Sequence, residues 1–258
     1  MSDSLYPAWL EEILPEGRRT LIGRCCLLVE GKQQSYRVKF GETLESAYAL
    51  QKEAHWLNRL KYINVHIPQC LSFYKNANMC TLITSFIPGR SASDWFNEHQ
   101  GKQHYRLALA KYVEAALNNL ELFHREGLVH GDIKPSNIIF MEGSQATLID
   151  FSNMRRVNEQ WQERGFSQFS PSFRYPQAAL VAKREHDYFA FLISIAALFD
   201  NQGLARCHSV ADLFQLTHNE YRKWGISDKS YQQLEFYQQK IKEDLDDKES
   251  QMLLWGLT

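Results

Sequence analysis

Between positions 130 and 152 the chain gathers residue types that suit phosphoryl chemistry. The run His130-Gly131-Asp132-Ile133-Lys134-Pro135-Ser136-Asn137 is followed by Leu148-Ile149-Asp150-Phe151-Ser152, so a second aspartate stands 18 residues after the first. Asn137 and Asp150 offer hard oxygen atoms to a cation, which leaves Asp132 to accept a proton. Lys134 supplies positive charge where a phosphoryl group in transfer accumulates negative charge. Any one of these residues alone reads most simply as a turn or cap. The whole set at this spacing does not.

Such a set needs rigid elements beneath it. Residues 19–40 alternate and favour strands around a turn at Glu30-Gly31-Lys32, which predicts a β-hairpin. Ala47, Leu50, Ala54, Leu57 and Leu60 recur at three- and four-residue steps, so 44–61 reads as an amphipathic helix. Two short apolar runs follow, Cys70–Tyr74 and Met79–Phe86, and Ile87-Pro88-Gly89 stops the second. Beyond that point helices dominate. Residues 104–125 carry Leu107, Ala110, Val113, Leu117, Leu120 and Phe123 on one stripe, and the chain from Asp187 onward is mostly helical. Two strand-like pieces, Asn137–Phe140 and Ala146–Ile149, flank the candidate residues. A β-rich part followed by a larger helical part predicts two lobes, divided near Pro88-Gly89.

Composition narrows the function classes. The 258 residues are 44% apolar and 23% charged, ordinary for a globular chain of one large or two small domains. A net charge of −1 supplies no overall basic field for nucleic acid. Five cysteines, two of them adjacent at Cys25-Cys26, show no metal-binding or disulfide spacing. The start, MSDSLYPAWLEE, lacks the basic and apolar regions of a signal peptide, and the longest apolar stretch, Phe189 to Phe199, is too short to span a bilayer. No membrane span is expected. The expected compartment is cytoplasmic, in its own cell or in another to which the protein is delivered.

The motifs together resemble the eukaryotic-type (Hanks-type) Ser/Thr protein kinase superfamily. HGDIKPSN is similar to that family's catalytic loop and Asp150-Phe151-Ser152 to its D-F-G element. Tyr36-Arg37-Val38-Lys39 stands where the family has V-A-I-K, and Glu53 where its helix glutamate pairs with that lysine. Ser170 to Gln177 resembles the segment T-P-x-Y-x-A-P-E, and Asp187 the buried aspartate that starts the central helix of the large lobe. The resemblance implies an α+β, two-lobed fold, with a β-rich small lobe over 1–87 and a mainly helical large lobe over 88–258. It implies ATP and Mg2+ as cofactors and a protein substrate. Asp132 and Lys134 would then be catalytic, and Asn137 and Asp150 metal ligands. Lys39, Glu53, Gly23 and the hinge residues Ser85, Phe86 and Ile87 would bind ATP.

The chain also departs from the family pattern. Of the Gly-rich loop, aligned over 18–25, only Gly23 survives, and Arg18, Arg19 and Arg24 stand among bulkier residues. Arg37 replaces the small residue that roofs adenine, which argues for a pseudokinase acting as a scaffold. Gly131 replaces the arginine that reads loop phosphorylation, so control by that route is not expected. Gln177 replaces a glutamate whose buried arginine partner is missing too, since no arginine follows Arg222. Small-molecule kinases of the aminoglycoside and choline type share H-G-D and I-D-F-S. Lys134 and the 170–177 segment favour a protein acceptor instead. The charged tail, Lys240 to Ser250, reads as a solvated helix face. The stripe of Tyr6, Trp9, Leu10, Ile13 and Leu14 reads as packing on the small lobe, or as a dock for a regulatory partner.

Overall fold

The computed structural model describes residues 10–13, 21–29, 32–63, 66–76, 79–102, 104–161, 173, 175, 181–221 and 223–245. Their contacts divide the chain into two compact units, Met1–Pro88 and Gly89–Thr258.

An antiparallel sheet carrying one helix makes up the first unit. Its strands are β1 (Leu10–Ile13), β2 (Leu21–Val29), β3 (Lys32–Gly41), β4 (Cys70–Lys75) and β5 (Cys80–Ser85), in the order β1-β2-β3-β5-β4. The expected hairpin is β2–β3, in register from Leu21↔Phe40 to Val29↔Lys32. Alternation along β3 sends Val38 and Phe40 into a cluster with Tyr36, Met79 and Ile83. Lys39 therefore points to the opposite face, across from Leu82. Leu82 packs beneath α1 (Leu44–Leu60) with Ala47, Leu50, Ala54 and Cys80. α1 begins at a capping box in which Thr43 Oγ1 accepts the Ser46 N–H at 3.1 Å and Ser46 Oγ accepts the Thr43 N–H at 3.0 Å. Sheet alternation and helix period thus converge on one buried layer, which holds both Lys39 and Glu53.

The second unit is mainly helical. α2 (Ala92–His99), α3 (Tyr105–Arg125), α4 (Arg184–Ala205), α5 (Val210–Glu220) and α6 (Asp228–Asp244) surround two small sheets. One sheet is β6 (Arg90–Ser91), β8 (Ile138–Met141) and β9 (Gln145–Leu148); the other pairs β7 (Leu128–Val129) with β10 (Arg155–Arg156). Asn119 of α3 donates to the Ala146 carbonyl and so ties the β8–β9 hairpin to the helix. α4 is apolar and long enough to cross a bilayer by length and composition. Here that apolarity serves a core: Phe189, Phe191, Leu192, Ile193 and Ile195 are buried, and Tyr188 stacks on Tyr237 of α6 at 3.8 Å.

Three expectations need correction or limits. The α3 stripe is buried from Ala110 to Phe123, but Leu107 is 56% exposed. It sits in the first turn, beside Gly225, which has no side chain to cover it. The charged end of α6 is not wholly solvated, because Ile241 and Leu245 are buried and Asp244 is ion-paired. Residues from 246 onward lie outside the described residues, as do Tyr6, Trp9 and Leu14; Leu10 and Ile13 belong to β1, which pairs with β2.

Candidate active site

A loop between β7 and β8 holds the first group of predicted residues together. Lys134 Nζ donates to Asp132 Oδ2 at 2.7 Å. Asn137, at the end of a one-turn 3-10 helix begun by Pro135, donates from Nδ2 to the Asp132 carbonyl at 2.9 Å and to Asp132 Oδ2 at 3.0 Å. With Nδ2 spent on Asp132, the amide oxygen of Asn137 faces away from it, as an acceptor. The β8–β9 register brings Asp150 alongside. Ile138 pairs with Leu148, and the Ile149 N–H donates to the Asn137 carbonyl at 3.0 Å, so Asp150 follows at the open end of the hairpin. Asp150 has φ +69° and ψ 73°. Left-handed backbone costs an L-residue about 1–2 kcal/mol, and less for Asp and Asn than for most. Ser152 Oγ donates to Asp150 Oδ1 at 3.0 Å.

Beneath the loop lies a buried scaffold. Phe151 is fully buried against Phe123, at 5.7 Å between centroids, and against His130 at 5.2 Å. Burial lowers the His130 pKa, with the nearby carboxylates of Asp187, Asp132 and Asp150 opposing it. The neutral ring fits its surroundings: Nε2–H donates to the Ile149 carbonyl at 3.1 Å, and Nδ1 accepts the Asp132 N–H at 3.3 Å. Asp187, at the start of α4, accepts the His130 N–H at 2.7 Å on Oδ2 and the Gly131 N–H at 2.8 Å on Oδ1. Burial would raise the Asp187 carboxyl, but the His124 hydrogen bond and the Gly131 N–H help hold it below its ordinary value. That His124 contact, Nε2 to Asp187 Oδ2 at 2.9 Å, was not legible in the sequence. The only signal was a histidine directly after Phe123 on the buried stripe.

In the first unit, Lys39 Nζ bonds both Glu53 oxygens. Gly23 lies inside β2, opposite Ile13 on one side and Val38 on the other, so it belongs to a paired strand. Ser85 ends β5; its N–H donates to the Gln69 carbonyl at 2.9 Å, and its hydroxyl accepts the Gln69 N–H at 2.8 Å. Phe86 and Ile87 follow in irregular, half-buried backbone, and Arg37 is half-buried on β3. Arg18 and Arg19 lie outside the described residues, as do Ser170, Pro171, Ser172, Arg174, Pro176 and Gln177.

Near that last stretch the structure shows contacts that sequence reasoning missed. Tyr175 is buried on His186 and Phe189, and its hydroxyl donates to Asp244 Oδ2 at 3.0 Å. Lys183 Nζ meets Asp244 Oδ1 at 2.5 Å. A lysine before α4 and an aspartate ending α6 thus form an ion pair in this unit. Gln177, where the loss of a glutamate–arginine pair is expected, lies outside the described residues.

The chain is similar in sequence to known proteins. The family model described as protein kinase domain matches residues 23–246. Mitogen-activated protein kinase kinase kinase 19 of Homo sapiens is 30% identical over 110 residues, covering 42% of this chain and 8% of that protein. Serine/threonine-protein kinase TIO of Arabidopsis thaliana is 27% identical over 143 residues, 55% of this chain and 10% of that protein. Serine/threonine-protein kinase D of Synechocystis is 31% identical over 110 residues, 42% of this chain and 20% of that protein. The chain thus spans no more than a fifth of the length of these relatives. With a family match covering most of its length, a β-rich first part and a helical second part, the chain belongs to the Hanks-type protein kinase superfamily, with that superfamily's α+β fold.

Proposed function

We propose that the protein transfers the terminal phosphoryl group of ATP, with Mg2+, to serine or threonine hydroxyls of a protein substrate. The observation that carries this reading is the convergence of Lys134 and Asn137 on Asp132. Two donors fix that carboxylate, and a fixed carboxylate is what accepting a hydroxyl proton requires. Lys134 then steadies the negative charge of the moving group. The metal fits the donor set: an amide oxygen turned away from Asp132 and the Asp150 carboxylate are two hard ligands, and Mg2+ is usually held by one or two such groups with waters and phosphates. When bound, Mg-ATP supplies the phosphoryl group and neutralises its charge. Lys39, positioned by Glu53, binds the nucleotide phosphates, and backbone near Phe86 and Ile87 meets the adenine.

A scaffold lacking catalysis is the second reading, and Arg37 with the reduced glycine loop favours it. One experiment separates the two. Wild type, Asp132→Ala and Asp150→Ala are incubated with labelled Mg-ATP and a generic protein substrate, and thermal shift with nucleotide is recorded in parallel. Label from wild type alone supports the enzyme; neither label nor shift supports the scaffold. A nucleotide shift without label on protein would direct the search to small-molecule acceptors.

A further inference from the structure

Gly131 precedes Asp132 and has φ +80°. A Cβ built on it would lie 2.8 Å from Trp161 Cη2, 2.9 Å from Trp161 Cζ3 and 2.8 Å from the Asn153 carbonyl oxygen. The six-membered ring of Trp161 therefore fills the space that a side chain at 131 would take. Trp161 is 5% exposed, clusters with Val129 and Ala182, and lies 5.4 Å from the His186 ring. Each neighbour bears on the loop: Val129 is the strand residue leading into it, and His186 precedes the Asp187 that clamps the 130 and 131 amides. The backbone around Trp161 is itself held. Asn158 N–H donates to the Ala182 carbonyl and Ala182 N–H to the Glu159 carbonyl, both at 2.8 Å, and Gln160 bridges Val181.

We propose that Trp161 is a positioning residue for phosphoryl transfer, holding the backbone at Gly131, and through it Asp132, by direct contact rather than through a charge that binds a loop phosphate. This rests on the phosphotransfer reading above. The ring is wedged between the loop and the start of α4, so its loss lets the segment carrying the proton acceptor drift relative to its clamp.

The test measures kcat and nucleotide KM for the full chain on a generic protein substrate. Trp161→Ala should lower kcat by about 10²-fold, the loss expected from an ångström-scale misplacement, with nucleotide KM changed less than about threefold. Trp161→Phe keeps a ring in the cluster but removes the atoms that reach Gly131; kcat should fall about tenfold with circular dichroism unchanged. It also serves if the alanine variant fails to fold. Gly131→Ala should then cost less in the Trp161→Phe background than in wild type, because the ring clash is gone while the strain at φ +80° is common to both. Wild-type kcat in the Phe variant, or strict additivity of the pair, would overturn the inference while leaving an active kinase. No transfer by wild type to any protein would overturn the phosphotransfer reading, and the inference with it.

Discussion

Lys39 Nζ lies 2.7 Å from both carboxylate oxygens of Glu53, with less than a tenth of either residue exposed. Removing one member of a buried pair takes away the ion-pair partner of the other charge, a loss of about 3–5 kcal/mol. Lys39→Met and Glu53→Leu should each destabilise by about that much, and the double variant by clearly less than the sum. Urea denaturation of the four proteins reads the cycle. Phosphoryl transfer should be lost in all three variants, so stability would recover without function.

The left-handed backbone at Asp150 lets folding be tested apart from the proposed metal binding. Asparagine tolerates that conformation and keeps an acceptor for Ser152, so Asp150→Asn should melt within about 2 °C of wild type. It should nevertheless lose the Mg2+-dependent part of the nucleotide thermal shift, because a neutral amide is a weaker ligand than a carboxylate. Asp150→Val should also fall in melting temperature, since β-branching adds about 1–2 kcal/mol of strain there. An unchanged Mg2+ response in Asp150→Asn would remove this residue from the metal site.

Acid should weaken the second unit through His186. Burial pushes its pKa down to about 4 from an ordinary 6.5, with Asp187 and Asp244 opposing and Lys183 assisting. Between those values the unfolded chain takes up a proton that the folded ring refuses. Stability therefore falls as pH falls, by about 1.4 kcal/mol per pH unit for one such group. Melting temperature should drop steadily from pH 6.5 toward 5, and His186→Gln should flatten that slope. A slope identical to wild type would place the acid sensitivity elsewhere, with buried His130 the next group to test.

The Lys183–Asp244 pair invites a charge exchange. Partly exposed pairs contribute about 1 kcal/mol or less, and reversing one partner opposes like charges. Lys183→Asp and Asp244→Lys should each lower the melting temperature by about 2–4 °C, and the double variant should recover most of that. Tyr175 complicates only the Asp244 arm, because its hydroxyl can donate to Asp244 but not to a lysine there. Failure of the exchange to rescue would mean that the hydrogen bond, not the ion pair, ties this end of the chain to α6.

Local patterns in the chain were legible wherever periodicity and spacing carry the information. α1 follows from its apolar steps, the β2–β3 hairpin from its alternation, and the loop around Asp132 from a motif whose residues touch within five positions. Distant partners were not legible. His124 meets Asp187 across 63 residues and Tyr175 meets Asp244 across 69, and no local pattern signals which buried polar group will find which. Leu107 belongs to a correct helical stripe, yet its exposure depends on a glycine more than a hundred residues later. Nothing in the sequence singled out Trp161. Its role emerges from the space it fills at position 131.

The fit between Gly131 and Trp161 also constrains what this chain can become. An arginine at 131 would meet the indole and the Asn153 carbonyl, on backbone that disfavours any side chain. Shrinking Trp161 first would open a void among Val129, Ala182 and His186 before any new contact had formed. Either order of change passes through a weakened intermediate. The two positions act as an evolutionary ratchet: the packing closes the short mutational route by which a cation at position 131 would come to govern the loop.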